Sequence, residues 1–197
     1  MSLRNYDIIV IDDNSNDNSL KIAQKFKKKK NFFILKNKKN IGLVKSCNKA
    51  IKFSNSEFFV RVDSDDYVSK NFIKFFLNKI KKNYEFIYSN YKIVRKKNQK
   101  KIDINKFSKL ISCSVAIKKS IFEKIGGYKN FMWEEYDLYY RYLEQSKKII
   151  KIKNSIYFYR LHANNMTGGK NWKRIAWKQL RNVHKNINTK EIEKKFK

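Results

Sequence analysis

Three aspartates at the end of an apolar run are the strongest chemical signal in this sequence. Asp63, Asp65 and Asp66 follow residues 58–62, which are apolar enough to predict a buried strand. In an extended chain Asp63 and Asp65 project to the same side, where two carboxylates repel each other unless a cation lies between them. A hard divalent cation takes oxygen ligands and commonly joins carboxylates to phosphates. The same spacing also suits a turn before a helix, so both interpretations stay open.

Three further polar positions also fall at the ends of predicted elements. Asp12 and Asp13 follow a β-branched run, where an acidic residue can hold a ribose or base, or can simply begin a helix. Glu134 and Glu135 open a predicted helix, as a general base or as charges that complement the helix dipole. His162 follows a predicted strand, and a histidine there either reaches a metal or is structural.

The elements that would position these side chains alternate between strand and helix in the first half of the chain. Hydrophobic periodicity predicts strands at residues 7–12, 32–35, 58–62, 86–88, 91–94, 112–117, 149–152 and 156–160. The main predicted helices cover residues 20–26, 43–53, 72–80 and 134–145, with Ser69 and Ser120 as N-terminal caps and Gly126-Gly127 as a stop. Such alternation predicts an α/β sheet with parallel strands, and ligands then bind outside the carboxyl ends of the strands.

Composition excludes several classes of protein. The 197 residues include no proline and five glycines, and the sequence predicts one catalytic domain at residues 1–170 and a basic helical tail at residues 171–197. No apolar stretch is long enough for a membrane span, and the first residues do not resemble a secretory signal. Cys47 and Cys113 lack metal-like spacing, which favours reduced thiols and a cytoplasmic location.

The formal net charge of +30 is extreme. It has three interpretations, which we rank as follows: compositional bias toward Lys, Asn and Ile, attraction to an anionic membrane surface, and binding of nucleic acid. Most basic residues are lysines scattered over nearly every segment, whereas base recognition favours arginine. The tail repeats apolar residues at helical spacing, which favours a helix packed on the catalytic domain over one that lies on a membrane.

Taken together, the order of these motifs resembles glycosyltransferase family 2, an inverting family of the GT-A type. The matching segments are Asp12-Asp13-x-Ser15-x-Asp17-x-Ser19, Asn40-Ile41-Gly42 with Asn48, Asp63-Ser64-Asp65-Asp66, Gly126-Gly127-Tyr128, Glu134-Glu135-Tyr136-Asp137-Leu138 with Arg141, and Tyr159-Arg160-Leu161-His162. The resemblance covers about residues 2 to 167. It implies a mixed, mostly parallel sheet between helices.

The resemblance also implies roles for the matching positions. A nucleotide-sugar donor would be bound by the following residues: Asp12, Asp13, Asn40, Gly42, Asn48, Asp63 and Asp66. A Mg²⁺ or Mn²⁺ ion would be held by Asp65, with Asp63 and His162. The family's catalytic base is an aspartate, and this chain has the longer Glu135 at that position, with Glu134 beside it.

The activity implied by the resemblance is transfer of a sugar, with inversion, from a nucleotide-diphosphate sugar, of which UDP-sugar is the first choice. The acceptor would be a glycan or a lipid-linked molecule in the synthesis of a cell-surface polysaccharide. The alternatives are an inactive remnant that binds a nucleotide or a partner, and a basic nucleic-acid binder.

The family's first strand and helix have no counterpart before residue 7 of this sequence. We therefore expect the GT-A domain to be incomplete at its N-terminus. We also expect residues 1–197 to be much less stable than a version with that strand restored, because strands 7–12 and 58–63 would flank it and both are apolar.

Overall fold

A computed structural model describes residues 6–95, 110–162 and 171–185, in two compact units. The first unit comprises Met1–Glu57 and the second Phe58–Lys197. The boundary between the units falls between residues 57 and 58, whereas the sequence predicts a boundary between residues 170 and 171. The helix of the predicted tail lies in the second unit, together with most of the motifs.

The first unit is built from two parallel strands and two helices. Its elements are β1 (Ile8–Asp12), α1 (Ser19–Gln24), β2 (Phe32–Lys36) and α2 (Leu43–Phe53). Strand β1 pairs in parallel with β2, from Ile8 opposite Phe32 to Asp12 opposite Lys36. Gly42 precedes α2 with φ of 86°, a backbone conformation that favours glycine. All four elements were predicted, to within about two residues at their ends.

The second unit contains a five-stranded mixed sheet with four helices. Its strands are β3 (Phe58–Val60), β4 (Tyr67–Val68), β5 (Phe86–Arg95), β6 (Val115–Lys118) and β7 (Ile149–Leu161). Its helices are α3 (Phe72–Ile80), α4 (Lys119–Lys124), α5 (Glu134–Gln145) and α6 (Trp172–Val183). The order of strands across the sheet is β3-β6-β5-β7-β4.

The predicted α/β class and the mixed sheet are confirmed. Only β1 with β2 and β5 with β7 are parallel among the described residues, whereas β3 with β6, β5 with β6, and β4 with β7 are antiparallel. An apolar run carries no signal of strand direction, which depends on how the chain connects the strands. The strict alternation of strand and helix ends at β3, which is followed directly by β4.

Strand β7 is one continuous strand of 13 residues where the sequence predicts two. The pairing of β7 with β5 is irregular between Ser89 and Tyr91 of β5. The polar residues 153–155 lie opposite this irregularity, and the strand continues past it. Strand β5 likewise joins two predicted strands. Residues at the far end of β7 therefore reach the site from the same rigid strand that runs through the core.

The helix ends differ from the predicted caps at two places. Helix α3 begins after Asn71 rather than Ser69, and α4 begins after Lys118 with no side-chain cap, so the capping box predicted at Ser120 is absent. The predicted stop of α4 is confirmed, because Gly126 and Gly127 have φ of 81° and 67°.

Helix α6 packs on the second unit through a narrow stripe. Ala176 and Leu180 are fully buried, whereas Val183, which the sequence places on the same stripe, is 56% exposed. The side chain of Trp172 and the whole of Ile187 lie outside the described residues. None of the helices in the described parts of the chain has both the length and the apolar character that a membrane span requires.

Candidate functional site

The aspartate loop between β3 and β4 is fastened to the end of β7 by Asp66. Its Oδ2 accepts a hydrogen bond from the Tyr157 hydroxyl at 2.6 Å and its Oδ1 accepts one from the Arg160 backbone N–H at 2.7 Å. Burial raises the pKa of Asp66, although these hydrogen bonds favour its charged form. Asp66 therefore braces the loop, whereas the sequence predicts a contact with the nucleotide.

Asp65 and His162 meet directly at the solvent-exposed edge of this loop. The Asp65 Oδ2 lies 2.8 Å from the His162 Nε2, and the two side chains are 41% and 36% exposed. The Arg160 guanidinium donates to the Asp65 backbone carbonyl and so fixes the position of the residue that carries the carboxylate. A carboxylate oxygen and an imidazole nitrogen are both ligands of Mn²⁺, and a carboxylate suits Mg²⁺. This pair fits the predicted metal site.

Asp63 makes a different set of contacts. Arg61 binds both its carboxylate oxygens, with Nε to Oδ1 at 2.6 Å and the terminal nitrogen to Oδ2 at 3.0 Å. The Cys113 thiol donates to Oδ2 at 2.8 Å. Ligand atoms of Asp63, Asp66 and Cys113 lie within 4.8 Å of one another. Burial raises the pKa of Cys113 well above its usual value. Sulfur is a soft ligand, whereas Mg²⁺ and Mn²⁺ prefer oxygen, so this second cluster suits a hard cation less well than the Asp65–His162 pair.

The two glutamates at the start of α5 lie in contrasting surroundings. The Arg61 guanidinium forms an ion pair with Glu134 Oε1 at 2.8 Å, and the Ser112 hydroxyl donates to that oxygen at 2.8 Å. Ser112 also contacts Glu135 Oε2 at 3.2 Å. Glu134 is buried with its charge paired, while Glu135 keeps partial exposure to solvent.

The pKa of Glu135 is raised to about 8, because burial disfavours its charge and because the neighbouring Glu134 repels it. A carboxyl group with a pKa near the working pH can accept a proton and return it readily. Of the two predicted catalytic glutamates, Glu135 is therefore the one whose raised pKa suits a general base.

In the first unit, Asp13 holds the loop that leads into α2. Its carboxylate accepts hydrogen bonds from the backbone N–H groups of Ile41 and Gly42 at 2.9 and 2.8 Å, and from the Asn37 side chain at 2.8 Å. These bonds, that of Ile41 first, lower the pKa of Asp13. Asn40 also accepts a hydrogen bond from the Gly42 N–H, at 3.1 Å, and Asn48 lies within α2.

Asp12 has a buried oxygen that is left without a partner. The residue is 6% exposed, and its Oδ1 accepts a hydrogen bond from the Ser15 N–H at 3.2 Å. No hydrogen bond to its Oδ2 is found within the described part of the chain. A buried carboxylate oxygen without a partner is costly, and a donor group from a ligand would satisfy it. The resemblance to glycosyltransferase family 2 implies that Asp13 is the direct contact with a nucleoside, whereas this geometry favours Asp12.

The sequence analysis missed three residues that organise these groups. Arg61 joins Asp63 to Glu134, Ser112 joins the two glutamates, and Asn37 joins Asp13 to α2 through a 2.9 Å contact with Ser46. A single arginine inside an apolar strand directly before Asp63 was a usable signal for the first. Ser112 and Asn37 lie at element ends like many other polar residues and carry no such signal.

Comparison with known proteins identifies the family of this chain. The chain matches the profile of the family described as Glycosyl transferase family 2 over residues 2–191. It belongs to that family. Its relatives include the cholesterol galactosyltransferase of Borreliella burgdorferi, 35% identical over 80 residues, which are 41% of this chain and 22% of the relative. An uncharacterised glycosyltransferase of Rickettsia typhi is 28% identical over 165 residues, 73% of this chain and 51% of the relative.

Solved structures show that this family 2 chain has the predicted GT-A fold. The poly(ribitol-phosphate) β-N-acetylglucosaminyltransferase TarS of Staphylococcus aureus is 37% identical over 70 residues, which are 35% of this chain and 12% of the relative. A crystal structure of TarS residues 1–349 with UDP has a TM-score of 0.66 at 18% identity, covering 93% of this chain and 64% of that one. The chain therefore spans only part of the length of the relatives it matches.

Proposed function

We propose that this chain transfers a sugar from a nucleoside-diphosphate sugar, with UDP as the first choice of nucleotide, to an acceptor hydroxyl with inversion. The observation that carries the proposal is a continuous series of contacts within the second unit. Asp63 binds Arg61, Arg61 binds Glu134, and Ser112 joins Glu134 to Glu135. The loop with the Asp65–His162 pair is thus connected to a carboxyl group suited to accept a proton.

Each part has a distinct role in the proposed reaction. A divalent ion held by Asp65 and His162 would supply positive charge to the departing diphosphate. Glu135 accepts the proton of the acceptor hydroxyl as that oxygen attacks the anomeric carbon of the donor. The bond from that carbon to the diphosphate breaks at the same time, so the configuration inverts. The Arg61 guanidinium holds Glu134 beside Glu135, and repulsion from Glu134 raises the pKa of Glu135 and so favours its uptake of the proton.

The first unit, considered by itself, would contribute to binding the nucleoside. The Asp12 Oδ2 lacks a partner, and a ribose hydroxyl or a base N–H has the donor it needs. Asp13 would act indirectly, since its three hydrogen bonds keep the Asn40–Gly42 loop in place.

The names of the relatives support a surface glycan or lipid-linked acceptor. One relative is named for cholesterol and another for poly(ribitol-phosphate). The outer face of α6 exposes Arg174, Lys178 and Arg181, and Lys185 is exposed just beyond the end of the helix. Such a face favours peripheral contact with an anionic membrane, where lipid-linked acceptors are found.

The direct test is a donor screen. Purified protein is incubated with UDP-, GDP- and TDP-sugars, Mn²⁺ and a hydroxyl acceptor or water, and release of the nucleoside diphosphate is measured. We expect release from at least one UDP-sugar and not from the other nucleotides. Binding of UDP without release from any donor would favour the binding-only alternative, and strong binding of duplex DNA at physiological salt would favour the nucleic-acid alternative.

We expect Asp65→Ala to abolish the dependence of UDP binding on Mn²⁺. The carboxylate is one of two ligands in the proposed site, and its loss typically weakens metal binding by about tenfold or more. Calorimetry with UDP, with and without Mn²⁺, measures the effect. Glu123→Ala, which removes an exposed carboxylate on α4, is the matched control. Unchanged metal dependence in Asp65→Ala would rule out this site.

A further inference from the structure

Helix α6 contacts the short segment that leads into the candidate base. The Trp177 ring packs edge-on against Trp133, with 5.0 Å between ring centroids and 85° between planes. It also lies 6.1 Å from the ring of Tyr136. Trp133 and Tyr136 stand directly before and after the Glu134-Glu135 pair, so one side chain of α6 contacts both sides of it.

Two more contacts fix α6 along the same stretch. The Gln179 side-chain oxygen accepts a hydrogen bond from the Met132 backbone N–H at 3.1 Å. His184, just after α6, places Nε2 2.9 Å from the Asp137 Oδ1 and its ring 5.0 Å from that of Tyr140. The contacts are spread along the segment, from just before α5 to its second turn.

The start of α5 has little local support of its own. Its N-cap is Trp133, which makes no side-chain hydrogen bond to the helix, although the first N–H groups of a helix need partners. Glu134 and Glu135 are adjacent in its first turn and repel each other, although acidic residues there also complement the helix dipole. A helix end of this kind frays unless other elements hold it.

We propose that α6 is a positioning element for the candidate base, and that Trp177 is its principal positioning residue. This inference rests on the proposed function. Trp177 sets the backbone that carries Glu134 and Glu135 and keeps water from one side of the pair. Glu135 is also faced by Arg61, Ser112 and Tyr91 from elements other than α6, and by Glu134 and Tyr136 of its own helix.

The test compares Trp177→Ala and Trp177→Phe with Ile175→Ala, an exposed position on the same helix. With the donor found by the screen, we expect Trp177→Ala to lower kcat by about ten- to a hundredfold with little change in KM, because misplacement by about 1 Å has effects of that size. Trp177→Phe should keep most of the activity, and Ile175→Ala all of it.

A second readout does not need activity. The carboxyl resonance of Glu135, assigned by its absence in Glu135→Gln, is titrated by NMR in protein labelled at glutamate. In Trp177→Ala we expect its midpoint to move to lower pH, since water reaches the carboxyl group. If Trp177→Ala does not fold, Gln179→Ala should give a smaller shift in the same direction.

These readouts separate the two proposals. An unchanged midpoint and an unchanged kcat in Trp177→Ala would overturn the positioning role while leaving the proposed function intact. A shifted midpoint in a protein that turns over no donor would support the positioning of Glu135 and count against sugar transfer.

Discussion

Replacing Glu135 with glutamine is expected to lower kcat by about 10²- to 10⁴-fold, the contribution of a positioned general base. Glutamine has nearly the same shape and keeps the hydrogen bond with Ser112, but it cannot accept the proton of the acceptor hydroxyl. Steady-state release of nucleoside diphosphate measures the loss, and calorimetry should show nearly unchanged affinity for UDP. Glu135→Asp restores the carboxylate with a shorter reach and should recover part of the activity.

The pH dependence of kcat provides a second test of Glu135 as the general base. Glu135 must be ionised to accept a proton and has a pKa raised to about 8, so kcat should rise with pH through about 8 and level off above it. Glu134→Gln removes the charge that repels Glu135 and should move this rise to lower pH. A Glu135→Gln variant with wild-type kcat, or a Glu134→Gln profile that moves to higher pH, would contradict the assignment.

Replacing Asp137 with asparagine is expected to lower the free energy of unfolding by about 3 to 5 kcal/mol, the usual loss when one member of a buried ion pair is removed. Asp137 is fully buried, and its Oδ2 binds Arg141 while its Oδ1 lies 2.9 Å from His184. The substitution removes the negative charge that pairs with the buried Arg141 guanidinium and replaces one acceptor oxygen with an NH₂ donor, while the carbonyls of Ile125 and Gly127 remain as partners of Arg141. Urea unfolding followed by circular dichroism measures the loss.

The Lys119–Glu123 ion pair provides a control for the loss of stability, and the pKa of Asp137 sets its pH dependence. Glu123→Gln removes the carboxylate of the exposed Lys119–Glu123 pair and should change stability by less than about 1 kcal/mol. Burial alone would raise the pKa of Asp137, but hydrogen bonds from His184 and Arg141 outweigh it and lower the pKa. The stabilisation is thus present above pH 4 and is lost as the pH falls through the lowered pKa. Equal acid sensitivity in Asp137→Asn would contradict this account.

The sequence predicted the elements of this protein better than their arrangement. The apolar runs before Asp12 and Asp63 are strands, and the acidic turn at Glu134 opens a helix, because period and polarity are local properties of the chain. The directions of β6 and β4 and the fusion of two predicted strands into β7 depend on pairing partners distant in sequence. No local pattern reports such partners.

The residues of the candidate site show the same difference between local patterns, which the sequence reveals, and distant partners, which it does not. The acidic residues and His162 were found because their types and spacing match a chemical role. Their partners were not, since Arg61 reaches Glu134 across 73 positions of sequence and Trp177 reaches Trp133 across the fold. The resemblance implies a metal contact for Asp65, a nucleotide contact for Asp66 and both for Asp63. The contacts separate them further, with Asp65 on His162, Asp63 on Arg61 and Asp66 on Tyr157.

Strand β7 limits how this protein can change over evolution. Tyr157, Arg160 and His162 all lie beyond the irregular pairing near Ser155, and all contact the aspartate loop. Because side chains alternate between the faces of a strand, gain or loss of one residue between 156 and 162 would turn His162 to the opposite face from Asp65. Homologues that keep this site should therefore vary in residue type along the end of β7 but not in its length.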